Sequence, residues 1–233
     1  MTRPAPPYPD AVIFDMDGLL LDSERLYRDA MHAVLARDGL SLPDDLFAAL
    51  VGRPWVANRA TLTAHYGPAF DCERHRAECF ATYETLAAAG TPLRPGAAAL
   101  LAWLAAEGMP MAVATSTGTT RARDKLGRAG IVDRFAVIVG ADDVPRHKPD
   151  PAPYLHAAAL LGVSPARCWA LEDSPTGIRA AAAAGMATFM VPDLIAPTPE
   201  TGRLCVATLA SLADLRPILT AAASRLPSAG APG

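Results

Sequence analysis

The sequence predicts an α/β protein in which a doubly wound parallel sheet carries an inserted block of helices. Three observations predict it. Short, uncharged apolar runs, of which Ala11, Val12, Ile13 and Phe14 are the first, suit strands buried on both faces. From about Pro95 onward such runs alternate with helical stretches punctuated by glycine and proline, as parallel strands joined by helical crossovers require. The segment 24–90 has helical spacing and no strand signal, so it reads as a helical domain inserted into a core made of residues 1–23 and 91–233.

The elements follow in order. Residues 1–9, MTRPAPPYP, hold four prolines and predict an extended, mobile arm. The first strand ends at Asp15, and the stretch DMDGLLLDSE that begins there sets two carboxylates one residue apart before a turn at Gly18. Within 24–90, Gly39, Pro43, Gly52, Pro54, Gly67 and Pro68 divide the helices, and Leu26, Ala30, Ala33 and Val34 recur at helical spacing. Pro95 and Gly96 open a helix to about Glu107. A strand over 109–114 then runs into Thr115, Ser116, Thr117 and Gly118. A helix over 119–129 and a strand over 135–139 lead to the phrase HKPDP, where Asp150 caps a helix that begins at Pro151 and ends before Gly162. The strand 168–171 stops at Glu172 and Asp173, Ser174 and Pro175 start the next helix, 186–191 is the fifth strand, and 204–206 is a short sixth. The whole reads as a Rossmann-like core, with a tail after Leu226 that lacks ordering signals.

At 233 residues and a net charge of −3, with lysine and arginine scattered, nothing marks a nucleic-acid or membrane surface, and a small-molecule partner is expected. No apolar run approaches the roughly 18 residues that span a bilayer and the first residues lack a signal-peptide core, so a cytoplasmic location is expected. The four cysteines show no Cys-x-x-Cys spacing and read as reduced structural thiols. His65, Cys72, His75 and Cys79 crowd one segment, but their spacing matches no common zinc site and they read as helix surface. The Asp-x-Asp-Gly turn resembles the start of a calcium loop, yet Leu19, Leu20 and Leu21 occupy the positions where further ligands would be needed. Oligomeric state is not written in the chain, and a monomer is favoured.

In a parallel sheet the carboxyl ends of all strands share one edge, so Asp15, Asp17, Thr115, Ser116, Lys148, Glu172 and Asp173 are predicted to meet there. Phosphoryl transfer through a covalent intermediate needs a nucleophile, an acid/base, a magnesium site and cations or donors for phosphate oxygens. That set supplies each part. Magnesium favours few carboxylates together with waters and a phosphate oxygen, which Asp15, Asp173 and the carbonyl of Asp17 could accommodate. A carboxylate nucleophile repels a phosphate dianion, so Lys148 is needed to offset that repulsion.

FDMDGLLLDSE, the strand ending AVATST, the HKPDP phrase and ALEDSPTGIRAAAAAGM resemble the four motifs of the haloacid dehalogenase-like hydrolase superfamily, in its β-phosphoglucomutase-like branch with a helical cap. Within that branch DMDGLLLDSERLY, MAVATST and GMATFMVPD are most similar to pseudouridine-5′-phosphatases and sugar-phosphate phosphatases. The resemblance implies Asp15 as nucleophile, Asp17 as acid/base with its carbonyl on Mg2+, Thr115, Ser116 and Lys148 as phosphate holders, and Asp173 with Glu172 at the metal. It implies a cap that closes over the site, with hinges at 22–25 and 90–94. The expected activity is magnesium-dependent hydrolysis of a small phosphorylated metabolite, a sugar phosphate or nucleoside monophosphate.

A β-phosphoglucomutase-like phosphomutase is the alternative. It is disfavoured because Tyr27 stands where those mutases carry a histidine, and a phenol is a poor proton relay at neutral pH. Haloacid dehalogenase needs no magnesium and would not explain Asp17, Glu172 and Asp173. A non-catalytic phospho-accepting or binding module would lack the inserted helices. Tyr27 and the VGRPW phrase, with Gly52, Arg53 and Trp55, are candidates for contact with the leaving group.

Overall fold

In a computed structural model, residues 6–51, 53 and 55–225 are described. Six strands form one sheet: β1 (Ala11–Phe14), β2 (Met111–Ala114), β3 (Val137–Val139), β4 (Cys168–Glu172), β5 (Ala187–Met190) and β6 (Ala207–Thr208). All neighbours pair in parallel, in the order β3-β2-β1-β4-β5-β6. The order reverses at β1, and the crevice outside the carboxyl end of such a strand is where open α/β sheets bind ligands.

The helical block after β1 holds α1 (Ser23–Arg37), α2 (Asp44–Leu50), α3 (Trp55–Tyr66) and α4 (Cys72–Ala88). The rest alternate with strands: α5 (Ala97–Ala106), α6 (Thr119–Arg128), α7 (Ala152–Leu161), α8 (Pro175–Ala183), α9 (Pro199–Leu204) and α10 (Leu215–Ala223). No helix among the described residues is long and apolar enough to cross a membrane.

The sheet is buried on both faces because its strands alternate side chains between two cores. Val12 and Phe14 point into one, with Leu104, Leu126, Trp169, Phe189 and Leu219. Ala11 and Ile13 point into the other, which is built largely from alanines of α7 and α8 with Tyr154. Helices α1–α4 have a core of their own around Val34, Leu35, Phe47, Leu50, Leu62 and Cys79.

The two connections between sheet and helical block are bonded to each other. Asp22 N donates to Pro92 O at 2.8 Å and Arg94 N to Leu20 O at 2.9 Å, with Leu21 and Leu93 bridged between them.

Three expectations need correction. Residues 204–206 are not a strand: Thr198 caps α9, its hydroxyl accepting from Thr201 N at 3.2 Å with Pro199 at the first position, so Leu204 ends a helix and β6 follows at Ala207. Cys72, His75 and Cys79 are not helix surface but buried on the inner face of α4. The described part of the N-terminal arm is tied down, since the Trp169 indole donates to Pro7 O at 3.0 Å. Residues 226–233 lie outside the described residues.

Candidate active site

The site is built at the carboxyl edge of the sheet. Asp15 directly follows β1, its N–H donating to Leu171 O at 3.0 Å, and Thr115 directly follows β2, its N–H donating to Val139 O at 3.0 Å. Glu172 is the last residue of β4 and Asp173 the next. Lys148 arrives from the loop between β3 and α7. Asp150 Oδ1 accepts from Ala152 N at 2.9 Å and so secures the start of α7.

Asp15, Asp17, Thr115, Ser116 and Asp173 line one cavity of about 160 Å3. Lys148 stands behind Asp15 and donates to Asp15 Oδ1 and to Glu172 Oε1, each at 2.5 Å. Glu172 has no exposed surface, and it also accepts from Tyr154 Oη at 2.6 Å and from Ser174 Oγ at 3.1 Å. The Asp17 carboxylate is held on both oxygens: Thr117 Oγ1 donates to Oδ2 at 2.8 Å and Lys125 Nζ donates to Oδ1.

Two glycines allow this crowding. Gly18 takes φ +82°, and a Cβ there would come within 2.4 Å of Asp173 Oδ2. At Gly177, in the first turn of α8, a Cβ would meet Glu172 Oε1 at 1.8 Å.

Charge explains the titration of these groups. Burial, reinforced by Glu172 and Asp17 but opposed by Lys148, pushes the Asp15 carboxyl up to about 7. Burial and the neighbouring Asp15 and Glu172 charges likewise raise Asp173. Burial works against the Lys148 ammonium, yet the charges of Asp15 and Glu172 outweigh it and its pKa rises.

Ligand oxygens of Asp15, Glu172 and Asp173 lie within 4.8 Å of one another, and the Lys148 ammonium pairs with two of them, Asp15 and Glu172. A surplus of negative charge on hard oxygen donors fits a small divalent cation such as magnesium.

A second cavity, of about 400 Å3, runs into the helical block and shares Asp17, Glu24 and Val51 with the first. Tyr27, Arg53 and Trp55 line this larger cavity and not the smaller one. Arg53 donates to Ala49 O at 3.1 Å, and the Trp55 indole donates to Glu73 Oε1 at 2.9 Å. Gly52 lies outside the described residues.

Polar residues at the site that were absent from the sequence-based set are Glu24, Thr117, Lys125, Tyr154 and Ser174, and the apolar Val51, Leu194 and Ile195 also line the cavity. Thr117 sits two positions beyond Thr115 and Ser174 is a recognisable helix cap, so both carried a local signal. Lys125 and Tyr154 lie inside helices with no motif to mark them.

Comparison with known proteins identifies relatives of this chain. The chain is 35% identical over 213 residues to a protein described as a probable pseudouridine-5′-phosphatase of Drosophila melanogaster, covering 88% of this chain and 90% of that one. It is 35% identical over 179 residues to the fructose-1-phosphate phosphatase YqaB of Escherichia coli, covering 75% of this chain and 92% of the relative. The crystal structure of a HAD family hydrolase from Deinococcus radiodurans R1, with bound phosphate and sodium, superposes with a TM-score of 0.82 at 30% identity over 97% of this chain and 100% of that one. The sequence profile of haloacid dehalogenase-like hydrolases matches residues 9–185, and the chain belongs to that family.

Proposed function

We propose that the protein is a magnesium-dependent phosphatase of small phosphomonoesters, sugar phosphates or nucleoside monophosphates, working through an aspartyl-phosphate on Asp15. The observation that carries this reading is the meeting of Asp15, Asp17, Thr115 and Asp173 on one cavity of about 160 Å3, with Lys148 bonded to Asp15 from behind. Phosphatase relatives that align over three quarters or more of the chain support it.

In this reading residues 1–23 and 91–233 form the catalytic core and 24–90 a helical cap. The separate core of α1–α4 and the paired connections at 20–22 and 92–94 support that division. Asp15 attacks phosphorus while the bond to the leaving oxygen breaks and Asp17 gives that oxygen its proton. Water then attacks phosphorus, the bond to Asp15 breaks, and Asp17 takes the proton from the water. Thr115 and Ser116 hold phosphate oxygens, and Lys148 offsets the repulsion between the Asp15 carboxylate and the phosphate.

Asp15, Asp173 and the Asp17 carbonyl would hold Mg2+, which when bound would neutralise charge on the transferring phosphoryl group. Glu172 is the third carboxylate of this group, and its bonds to Lys148, Tyr154 and Ser174 suit a supporting role. The mutase reading is not favoured, because Tyr27 offers a phenol that burial raises above its ordinary range.

The test is phosphate release from a panel of phosphomonoesters with magnesium. Turnover is expected for the wild type and none above background for Asp15→Asn, whose amide is not a competent nucleophile. A wild type inert toward every ester, or an active Asp15→Asn, would refute the proposal.

A further inference from the structure

We infer that Arg94 is a positioning residue, whose guanidinium ties the return connection from the helical block to the loop that follows β5, and so fixes the two walls that shelter the phosphate cavity. Its kinetic consequences assume the phosphatase reading of the site. Three observations support the assignment: a sheltered triad of charges, the place to which the loop leads, and a buried carboxylate oxygen without a partner.

The triad is Asp22, Arg94 and Asp193. Arg94 Nη1 lies 2.8 Å from Asp193 Oδ1 and 3.8 Å from Asp22 Oδ1. Ion pairs on open surface contribute little, but the side chains of Arg94, Asp22 and Asp193 are 21, 15 and 8% exposed, so water and salt screen this triad poorly. Each member stands at a different junction. Asp22 is the residue before α1, Arg94 lies in the connection from α4 to α5, and the backbone bonds that pair 20–22 with 92–94 hold these two together. Asp193 lies just beyond β5. One guanidinium thereby joins both crossings to the loop between β5 and α9.

That loop reaches the proposed chemistry. Val191 N donates to Glu172 O at 2.7 Å, which anchors the start of the loop beside the end of β4. Leu194 and Ile195, next after Asp193, line the cavity of about 160 Å3, and so does Val51 of the helical block. The apolar part of the lining is thus assembled from the loop and the block, and Arg94 holds the base of each. Leu194 is 44% exposed, so its outer side already meets solvent and a small outward shift would admit water to Asp15.

Asp193 supplies the direction of that shift. Its Oδ2 is buried without a partner among the described residues, and it lies against the turn at Gly18, 3.6 Å from where a Cβ would stand. A half-satisfied carboxylate stays in so sheltered a place only while a cation holds its other oxygen. Without Arg94, Asp193 gains by turning out to water, and Leu194 and Ile195 move with it. The fraction of molecules with a closed phosphate cavity then falls, and the apparent affinity for an ester falls by the same factor.

The test compares Arg94→Met and Asp193→Asn with the wild type. With magnesium and the best phosphomonoester of the panel, Arg94→Met is expected to raise KM by about tenfold and to change kcat by about threefold or less, and Arg94→Lys to recover part of the loss. Damage to the fold alone lowers kcat and leaves KM where it was, and that pattern would overturn the assignment. Adding Asp193→Asn to Arg94→Met should change KM little further, because the two side chains act through one contact; additive effects would contradict it. A second readout needs no turnover. In the ligand-free full chain, hydrogen exchange at the amides of positions 22, 94 and 191, each bonded in this structure, should be faster in Arg94→Met by about tenfold or more, with β1 and β4 unchanged. Equal exchange in the two proteins would also overturn the assignment. If Arg94→Met does not fold, Asp193→Asn, which keeps the size of the side chain, decides by the same two measurements. A wild type inert toward every ester would refute the phosphatase reading alone, and exchange would then decide the role of Arg94.

Discussion

Lys125 reaches Asp17 from α6, a contact between residues 108 positions apart, and its ammonium lies 5.6 Å from the centre of the Tyr83 ring of α4. With Thr117 on the other oxygen, the Asp17 carboxylate is fixed in rotation. Lys125→Met is expected to lower kcat for any good ester by about 10- to 100-fold, the usual size of a positioning or proton-transfer defect. Lys125→Arg should restore part of it, with KM less affected, as steady-state phosphate release would show. Gly177 is the second sensitive position. An alanine there needs the space of the Glu172 carboxylate, and Lys148, Tyr154 and Ser174 leave that carboxylate nowhere to go. Gly177→Ala should destabilise the fold by about 1–3 kcal/mol, as overpacking does, and cut activity by more than tenfold. Thermal unfolding and phosphate release check the two effects separately.

At the scale of elements, the helical block is held by its own small core rather than by the sheet. Leu35 is fully buried in it among Met31, Leu46 and Phe47. Leu35→Ala should cost about 2–5 kcal/mol of the stability of that block, measured by denaturant unfolding. The start of α8 was readable because its capping chemistry is local. Ser174 and Pro175 were recognised before α8, and Ser174 Oγ accepts from Gly177 N at 3.1 Å. Thr198 and Pro199 carry the same signal before α9, but the short apolar run Leu204, Cys205 and Val206 fits a strand or a buried helix end equally by period. The inner face of α4 was misread for a related reason. The spacing of Cys72, His75 and Cys79 reads as surface, while packing inside the helical block buries all three, Cys72 with its thiol against Thr63 Oγ1 and Arg59 O of α3 and His75 with its ring on Phe70.

At the scale of the molecule, stability should depend on pH through His75. Its folded pKa is lowered by burial, so near pH 6 the unfolded chain binds more protons than the folded one. Stability attributable to this group is complete above the unfolded value of about 6.5 and declines as pH falls through it. The melting temperature of the wild type should therefore drop more between pH 7.5 and about 5.5 than that of His75→Phe. Equal drops in the two proteins would show that His75 does not contribute.

The sequence by itself determined the class of the fold and the strand edge at which the candidate site residues meet. Strand and helix periodicity are local properties, and a parallel sheet brings Asp15, Thr115, Glu172 and Asp173 to one edge by construction. Lys148 was readable because it precedes a helix start that sequence alone marks. Tertiary structure decided the rest. That Lys125 secures Asp17, that Tyr154 secures Glu172, and that a second cavity joins the first at Asp17 all depend on the docking of α6, α7 and the helical block. Their side chains meet through packing geometry between distant elements, which no local period or spacing encodes.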